Sequence, residues 1–475
     1  MWWGTKKPAP KCDLWDPSMS LMKLGKYELS LGDAFEGCHI FGANGSGKTS
    51  GPGQALLKSY MRAGMGGLYL TAKRDDRALI ERYARETNRE LIIFSPDEKW
   101  RFNFLAYEQK RKGAGAGLTE NIVSIFTTVQ RALDRGDDSG GDEDPFWKKA
   151  LSELLRAAIE TATLAGETLS VQALYDIVTS APVSPEQADS ESWQKASRCY
   201  QLLERALNNE QLSERQKKDL RLTGRYWMTL FPQLPSETRG SVVSTFTTTA
   251  DVFLRGVIGD LFSTGLNIVP EVTHEGAIVV LDLPPKVWGK VGVASQVLWK
   301  YMWQQAAERR SSDRPVFLWV DESHLFCNEH DVMFQTTARS SRCCTTFLSQ
   351  TLPNYYWALG GEQRGKALTE ALLGVLQLKF FAANSDPSTN QWAADLFAKS
   401  YQQKSNHGVN HQSHGGQGTN SGSSESLEYN VLPATFLTLR KGGPHNDFLV
   451  ETICGQGGRI FENGKPFLRV AFSQI

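Results

Sequence analysis

Eight residues near the N-terminus constrain the fold of this chain more than any other stretch. Residues 42–49 read Gly-Ala-Asn-Gly-Ser-Gly-Lys-Thr and directly follow a short apolar run at residues 38–41. They match G-x-x-x-x-G-K-[ST] at every fixed position. Glycines in such a loop let phosphate oxygens reach backbone N–H groups that a Cβ would obstruct. The pattern predicts a strand, a phosphate-binding turn and a helix whose positive end faces the anion. The alternative is a glycine-rich turn with a solvated lysine.

The loop also predicts its ligands. Lys48 supplies a positive charge to the β- and γ-phosphates of a nucleotide, and Thr49 offers its hydroxyl to Mg²⁺. We therefore expect ATP and Mg²⁺ as cofactors. The residues expected to contact the nucleotide are Gly42, Asn44, Gly45, Ser46, Gly47, Lys48, Thr49 and Ser50.

Composition limits the class of protein. Lys and Arg number 52, as do Asp and Glu, so the net charge is zero. This argues against a protein that coats nucleic acid with its whole surface, although a narrow basic channel is compatible with it. Seven scattered cysteines without a C-x-x-C pair favour reduced thiols. No apolar run reaches 18 residues, and the N-terminus lacks a signal peptide, so we expect a cytoplasmic protein.

Strand and helix patterns alternate around the phosphate loop. Apolar runs at 38–41, 67–71 and 90–94 predict strands, and residues 49–63 and 75–88 predict helices. This βαβ spacing predicts an α/β fold with a mainly parallel sheet covered on both faces.

The character of the sequence changes after residue 105. Residues 106–270 have helical periodicity, interrupted by an acidic, glycine-rich stretch at 134–144 that predicts a loop. Further strands are predicted at 276–283, 315–320, 345–348 and 377–381. We therefore predict an N-terminal segment (1–37), a split RecA-like nucleotide-binding domain (38–105 and 271–475) and an inserted all-α domain (106–270).

Two segments near the C-terminus have distinct compositions. Residues 402–426 are rich in Gly, Ser, Asn, Gln and His, which predicts a solvated loop. Residues 429–475 alternate apolar and polar side chains, which predicts a small β layer that closes the domain.

The predicted strand at 315–320 is followed by two carboxylates, Asp321 and Glu322. Ligands of open α/β sheets bind at the carboxyl ends of the strands. Asp321 at this position is predicted to hold Mg²⁺ together with Thr49. Glu322 is predicted to orient and deprotonate the attacking water. An acid that caps the following helix is the alternative for either residue.

Three further polar residues complete the predicted chemistry. Gln350 ends the next strand, where it can contact the γ-phosphate or the water. Arg339 is predicted to act as the arginine that a neighbouring subunit contributes to stabilise charge on the γ-phosphate, with Arg342 as the second choice. The predicted catalytic residues are thus Glu322, Lys48, Arg339 and Gln350.

The order of these parts resembles the coupling proteins of conjugative type IV secretion systems, which are TraG/TraD-like members of the FtsK/HerA superfamily. The resemblance covers most of residues 38–450. Besides the two nucleotide motifs, it depends on these stretches: Phe102–Leu105, Phe146-Trp147, Glu237–Thr245, Ser349-Gln350 and the Ser-rich run before Leu432-Pro433.

The resemblance implies a ring, expected to be a hexamer, with ATP at subunit interfaces and DNA in a central channel. It also implies relaxase or effector cargo and secretion-channel proteins as partners. Lys286 and Lys290 could face the channel or simply be solvated. This chain departs from the family pattern in two ways. Family members usually carry N-terminal transmembrane helices, whereas none is predicted here. Their second strand usually ends in an aspartate, whereas Thr71 stands at that strand end here. Peripheral attachment to the inner membrane through partners stays open.

Three functions are compatible with these motifs. The first is an ATP-driven translocase that delivers DNA or DNA–protein substrates to a secretion channel. The second is a soluble HerA-like DNA pump in DNA processing or defence. The third is a nucleotide-dependent cargo recruitment adaptor, which the presence of Glu322 disfavours because an adaptor needs no water-activating carboxylate.

Overall fold

The structure is a computed structural model that describes residues 14–113, 115–133, 145–411 and 417–475. The acidic stretch 134–144 and the first 13 residues lie outside this range. The described strands are β1 (Ser20–Leu24), β2 (Tyr27–Ser30), β3 (Cys38–Phe41), β4 (Gly66–Leu70), β5 (Leu91–Phe94), β6 (Ile278–Leu281), β7 (Val316–Val320), β8 (Cys343–Ser349), β9 (Leu378–Phe381), β10 (Lys399–His411), β11 (Gln417–Tyr429), β12 (Leu449–Gln456) and β13 (Leu468–Ser473).

The described α-helices lie between residues 31 and 396. They are α1 (Leu31–Phe35), α2 (Gln54–Arg62), α3 (Asp76–Glu86), α4 (Phe104–Lys110), α5 (Thr119–Leu133), α6 (Pro145–Leu164), α7 (Val171–Thr179), α8 (Pro185–Ala188), α9 (Glu191–Ala196), α10 (Arg198–Leu207), α11 (Glu214–Arg225), α12 (Phe231–Gln233), α13 (Ser236–Asp251), α14 (Gly256–Ser263), α15 (Pro285–Arg309), α16 (Glu329–Ala338), α17 (Leu352–Ala358), α18 (Gly361–Val375) and α19 (Pro387–Leu396). None of these helices is long and apolar enough to cross a membrane.

The chain packs as two compact units, Met1–Met65 with Ser312–Ile475, and Gly66–Ser311. In the first unit the strands are ordered β13-β12-β9-β3-β8-β7. Strands β9, β3, β8 and β7 pair in parallel, whereas β12 and β13 add in antiparallel orientation at the β9 edge. The predicted C-terminal β layer is therefore an extension of the main sheet.

The second unit contains three parallel strands in the order β5-β6-β4 and most of the helices. Residues 106–270 are largely helical, with α5 packed along α15, and α6 in contact with α5, α7, α10, α11 and α13. The predicted domain boundaries at 37, 105 and 270 stay a prediction. The α/β fold class with a mainly parallel sheet is confirmed.

A buried amide fixes the end of β4. Gln296 of α15 accepts a hydrogen bond from the Thr71 amide (3.0 Å) and donates to the carbonyls of Thr71 and Leu283 (both 2.9 Å). The Thr71 hydroxyl donates to the Leu281 carbonyl (2.7 Å). Thr71, which stands where the coupling-protein pattern has an aspartate, thus has a structural role here.

The prediction of a solvated loop at 402–426 is wrong for the described residues of this range. Strands β10 and β11 form an antiparallel hairpin, in register from the pair Lys399 and Tyr429 to the pair His411 and Gln417. The side chains that are described on both strands are mostly exposed. The sequence therefore lacks the alternation of apolar and polar residues that marks a half-buried strand, and its polar composition predicted a loop instead.

Candidate nucleotide-binding site

The phosphate loop connects β3 to an unusual helix start. The residues of β3 are all buried, and Gly45 and Gly47 have φ angles of 68° and 84°, in the region that favours glycine. A Cβ on Gly47 would lie 2.4 Å from a methyl group of Val450. The loop is thus shaped by glycine at Gly47, where the sequence pattern requires it, and also at Gly45, a position that the pattern leaves open.

The first turn after Lys48 is a π-helix, Thr49–Gly53. Pro52 has no amide hydrogen, and the Gly53 amide instead donates to the Lys48 carbonyl five residues back (3.0 Å). Single π turns of this kind often lie at functional sites. The Ser50 hydroxyl accepts a hydrogen bond from the Gln474 amide (2.6 Å).

The acidic strand end lies beside this loop. Strand β8 lies between β3 and β7, so the carboxyl ends of all three strands meet at one edge of the sheet. Thr49 Oγ1 donates to Asp321 Oδ2 at 3.2 Å. Lys48 Nζ forms an ion pair with Glu322 Oε1 at 3.5 Å, and each side chain is only 6% exposed. A buried pair of this kind is costly to break, because either charge alone would remain desolvated.

Gln350 joins the same cluster from the end of β8. Its side-chain amide donates to both carboxylate oxygens of Glu322, at 3.2 and 3.3 Å. Its own carbonyl accepts a hydrogen bond from Asn384 (2.8 Å). The structure therefore brings together Lys48, Thr49, Asp321, Glu322 and Gln350.

The backbone of the cluster is strained at Glu322. Its φ and ψ angles are 44° and 47°, in the left-handed region, which costs a non-glycine residue about 1–2 kcal/mol. The Glu322 amide donates to Asp321 Oδ1 (2.8 Å), and the Glu322 carbonyl accepts from the Leu325 amide (2.9 Å). Strain that persists against such a cost is typical of functional turns.

A buried polar relay, which we define as His39, Tyr355 and Ser323, supports this turn. Tyr355 Oη lies 2.7 Å from His39 Nε2 and 2.5 Å from Ser323 Oγ, and Ser323 Oγ donates to the Leu348 carbonyl (2.9 Å). Burial lowers the pKa of His39 well below its usual value and raises the pKa of Tyr355 well above its own. Both groups are therefore neutral at physiological pH.

No sequence pattern points to the relay residues. His39 and Tyr355 are 316 positions apart, and each alone is an ordinary core residue in a strand or helix pattern. Ser323 adjoins the acidic pair, but its partner is known only once α17 is placed. His324 was also missed; its Nδ1 lies 3.9 Å from Glu322 Oε2 and 3.0 Å from Ser349 Oγ.

The predicted arginines lie elsewhere. Arg339 follows α16, its side chain is 74% exposed, and its guanidinium pairs with Glu36 at 3.4 Å. Arg342 has a φ angle of 50° and donates to the Trp15 carbonyl, with its guanidinium over the Phe35 ring. Neither belongs to the cluster around Glu322. The assignment of Arg339 therefore stays a prediction.

Comparison with known proteins identifies the fold. No protein-family model and no curated protein matches the chain. The nucleotide site and sheet define a RecA-like P-loop fold. Similar solved structures include the bacterial conjugative coupling protein TrwBdeltaN70 in an unbound form. It is 13% identical to this chain, covers 94% of this chain and 87% of that chain, and has a TM-score of 0.61.

Two more structures share this fold. The plasmid coupling protein TrwB in complex with the ATP analogue ADPNP is 14% identical, covering 93% of this chain and 86% of that chain with a TM-score of 0.58. VirB4 of Thermoanaerobacter pseudethanolicus is 13% identical, covering 92% and 88% with a TM-score of 0.51. At such identities the likeness shows the fold alone, and the shared fold extends over nearly the whole chain.

Proposed function

We propose that this protein hydrolyses ATP and uses the energy to move DNA or DNA–protein substrates toward a type IV secretion channel. One observation carries the proposal: Lys48, Glu322 and Gln350 form a single cluster beside the phosphate loop, in which Lys48 and Glu322 are buried and Gln350 is half-buried. These side chains are joined directly, by the ion pair of Lys48 with Glu322 and by the hydrogen bonds of Gln350 to Glu322. The shared fold with TrwB supports the coupling-protein class over other P-loop ATPases.

The residues of the loop fit a bound nucleotide. The Ser46 hydroxyl is buried and has no hydrogen-bond partner among the described residues, so it is available to a ligand. A Cβ on Gly42 would lie 2.4 Å from that hydroxyl. Lys48 and the loop amides would bind the phosphates, and Lys48 would then exchange its contact with Glu322 for the phosphate oxygens.

Thr49 and Asp321 fit a magnesium ion. Mg²⁺ prefers oxygen ligands and usually combines one or two protein groups with phosphates and water. Nowhere in the described ranges do three or more His, Cys, Asp and Glu side chains form a metal cluster. A magnesium site with one oxygen each from Thr49 and Asp321, completed by nucleotide phosphates and water, is consistent with this ligand preference and with the lack of such a cluster among the described residues. When bound, Mg²⁺ neutralises charge on the β- and γ-phosphates.

Glu322 is suited to act as the general base. Its carboxylate accepts two hydrogen bonds from Gln350, which fixes the plane of the carboxylate. Once Lys48 moves to the phosphates, Glu322 loses its ion-pair partner and becomes a stronger proton acceptor. Nucleotide binding and base activation would thus be linked through one ion pair.

Arg339 is suited to act on a neighbouring subunit. It is highly exposed and lies apart from the Glu322 cluster of its own chain. An arginine that completes the nucleotide site of a neighbouring subunit must be placed in this way. Lys286 and Lys290 flank Gly289, whose φ angle of 55° interrupts α15, and both lysines are exposed. They are candidates for phosphate contacts with DNA in the channel.

Mixing inactive subunits tests this arrangement. Arg339→Ala and Glu322→Gln should each abolish DNA-stimulated ATP hydrolysis, yet a mixture should recover part of it, because some interfaces combine an intact Glu322 with an intact Arg339. Arg364→Ala, which changes another exposed arginine of the same unit, is the matched control and should retain activity. No recovery in the mixture would contradict the shared site, and turnover indifferent to DNA would contradict the DNA motor.

A further inference from the structure

A cavity of about 460 Å³ lies within the Gly66–Ser311 unit. It is bounded by the C-terminal end of α4, the segment 266–274 and the C-terminal end of α15. We call it the basic cavity because its lining contains five cationic side chains and one carboxylate, Glu271. The cations are Lys110, Arg111, Lys112, Arg309 and Arg310.

Cations at helix C-termini are common, since they complement the helix dipole. Here two helices end at the same cavity, and Lys112 lies beyond the end of α4. Arg111 pairs with Glu108 at 2.6 Å, and both of these side chains are nearly fully buried. Lys110, Lys112 and Arg309 are exposed, so their charged groups can reach an anion at the cavity mouth.

His274 also lines the cavity and lies near two of these charges, Arg309 and Arg310. Burial, with Arg310 and Arg309 adding to it, lowers the pKa of His274 to about 4. Burial alone disfavours a cation at this position, and the two guanidiniums add a positive potential. The same potential favours an anionic ligand.

The cavity also contains hydrogen-bonding atoms that nothing satisfies within the described part of the chain. Tyr107 Oη donates to Glu271 Oε1 at 2.6 Å, whereas the buried Glu271 Oε2 has no hydrogen-bond partner there. The buried His274 Nε2 is likewise without one. Leaving such atoms unsatisfied costs about 1–3 kcal/mol each, so they indicate a ligand that carries hydrogen-bond donors.

We propose that the basic cavity is a second nucleotide-binding site, which takes a phosphorylated nucleoside. The phosphates would lie among Lys110, Lys112 and Arg309, and a hydroxyl or amino group would donate to Glu271. The apolar wall formed by Leu266, Val269 and Ala306 would contact the base. A volume within the range of small-molecule sites, with an apolar wall and a few convergent polar groups, suits a mononucleotide better than phosphate alone.

This site is independent of the phosphate loop and of the proposed function. Calorimetric titration of the full chain with ADP should give two binding sites per chain. The double variant Lys110→Glu/Lys112→Glu should retain only one, with affinity at the other reduced at least about tenfold. Lys48→Ala should also retain one, and the combined variant none. Lys218→Glu, an exposed charge reversal elsewhere in the same unit, should retain both.

Three results would overturn the proposal. They are a single ADP site in the wild type that Lys48→Ala removes, a second site that the double variant leaves unchanged, and a cavity that takes inorganic phosphate or a single-stranded oligonucleotide in place of ADP. The last result would be seen as binding of that ligand, but not of ADP, to Lys48→Ala, with this binding lost when the double variant is added. The last two ligands are titrated separately to distinguish a nucleotide site from a phosphate or nucleic-acid site. Failure of ATP hydrolysis would leave these outcomes unaffected, because ADP binding requires no turnover.

Discussion

The relay of His39, Tyr355 and Ser323 should hold the turn that presents Glu322. Tyr355→Phe removes one hydroxyl and keeps the ring, which lies 5.6 Å from the His39 ring centroid. Two buried hydrogen bonds are lost, at a net cost of about 1 kcal/mol each, and a ring nitrogen of His39 is left without its partner. We therefore expect the free energy of unfolding to fall by about 2–3 kcal/mol.

The effect on catalysis should be separable from this loss of stability. Ser323 keeps its bond to the Leu348 carbonyl, so the turn should stay folded but hold Glu322 less firmly. A loss of about 1.4 kcal/mol of transition-state stabilisation would lower kcat about tenfold. The KM for ATP should change little, because the phosphate loop itself is untouched.

Denaturant unfolding and steady-state kinetics measure the two effects. Tyr356→Phe removes the same hydroxyl from the neighbouring residue of α17, which is only half-buried, and serves as the control. Unchanged stability and unchanged kcat in Tyr355→Phe would refute the relay as a support for Glu322. A rise in KM with kcat preserved would place its role in nucleotide binding.

Three other predictions follow from single residues. Burial lowers the pKa of Lys379 to about 8, so between pH 8 and pH 10.5 the unfolded chain binds more protons than the folded chain and stability rises with pH. Lys379→Met should therefore stabilise the protein by about 1–3 kcal/mol at pH 7. Unfolding measured as a function of pH should show this gain vanish near pH 10. Gly47→Ala should abolish ATP binding because its Cβ would strike Val450, whereas Gly45→Ala, with open space at its Cβ, should weaken binding only modestly in the same titration. Gln350→Ala should lower kcat at least about tenfold with KM nearly unchanged; equal activity would contradict its contact with Glu322.

The sequence predicted the parts of the site that follow local patterns. Gly42–Thr49 and Asp321-Glu322 lie at the ends of apolar strands, and parallel strands place their carboxyl ends at one edge of a sheet. Their convergence was therefore foreseeable, as was the position of Gln350 at the end of the adjacent strand. Neither the ion pair of Lys48 with Glu322 nor the left-handed turn at Glu322 has a sequence signature.

The remaining features depend on tertiary contacts. Tyr355 becomes part of the relay only because α17 packs near β3, and the basic cavity exists only because α4 and α15 end at one place. The hairpin of β10 and β11 was missed because an exposed two-stranded pair needs no apolar alternation. Long-range packing, which a single sequence does not reveal, decides all of these.

The most direct test of the account is ATP hydrolysis by the wild type and by Glu322→Gln, together with ATP binding by both. A general base contributes roughly 10²–10⁴-fold to the rate. We predict that Glu322→Gln loses at least about 100-fold in kcat while it still binds ATP, since Lys48 and the loop remain. Hydrolysis at the wild-type rate by Glu322→Gln would contradict the assignment of this cluster as the catalytic centre.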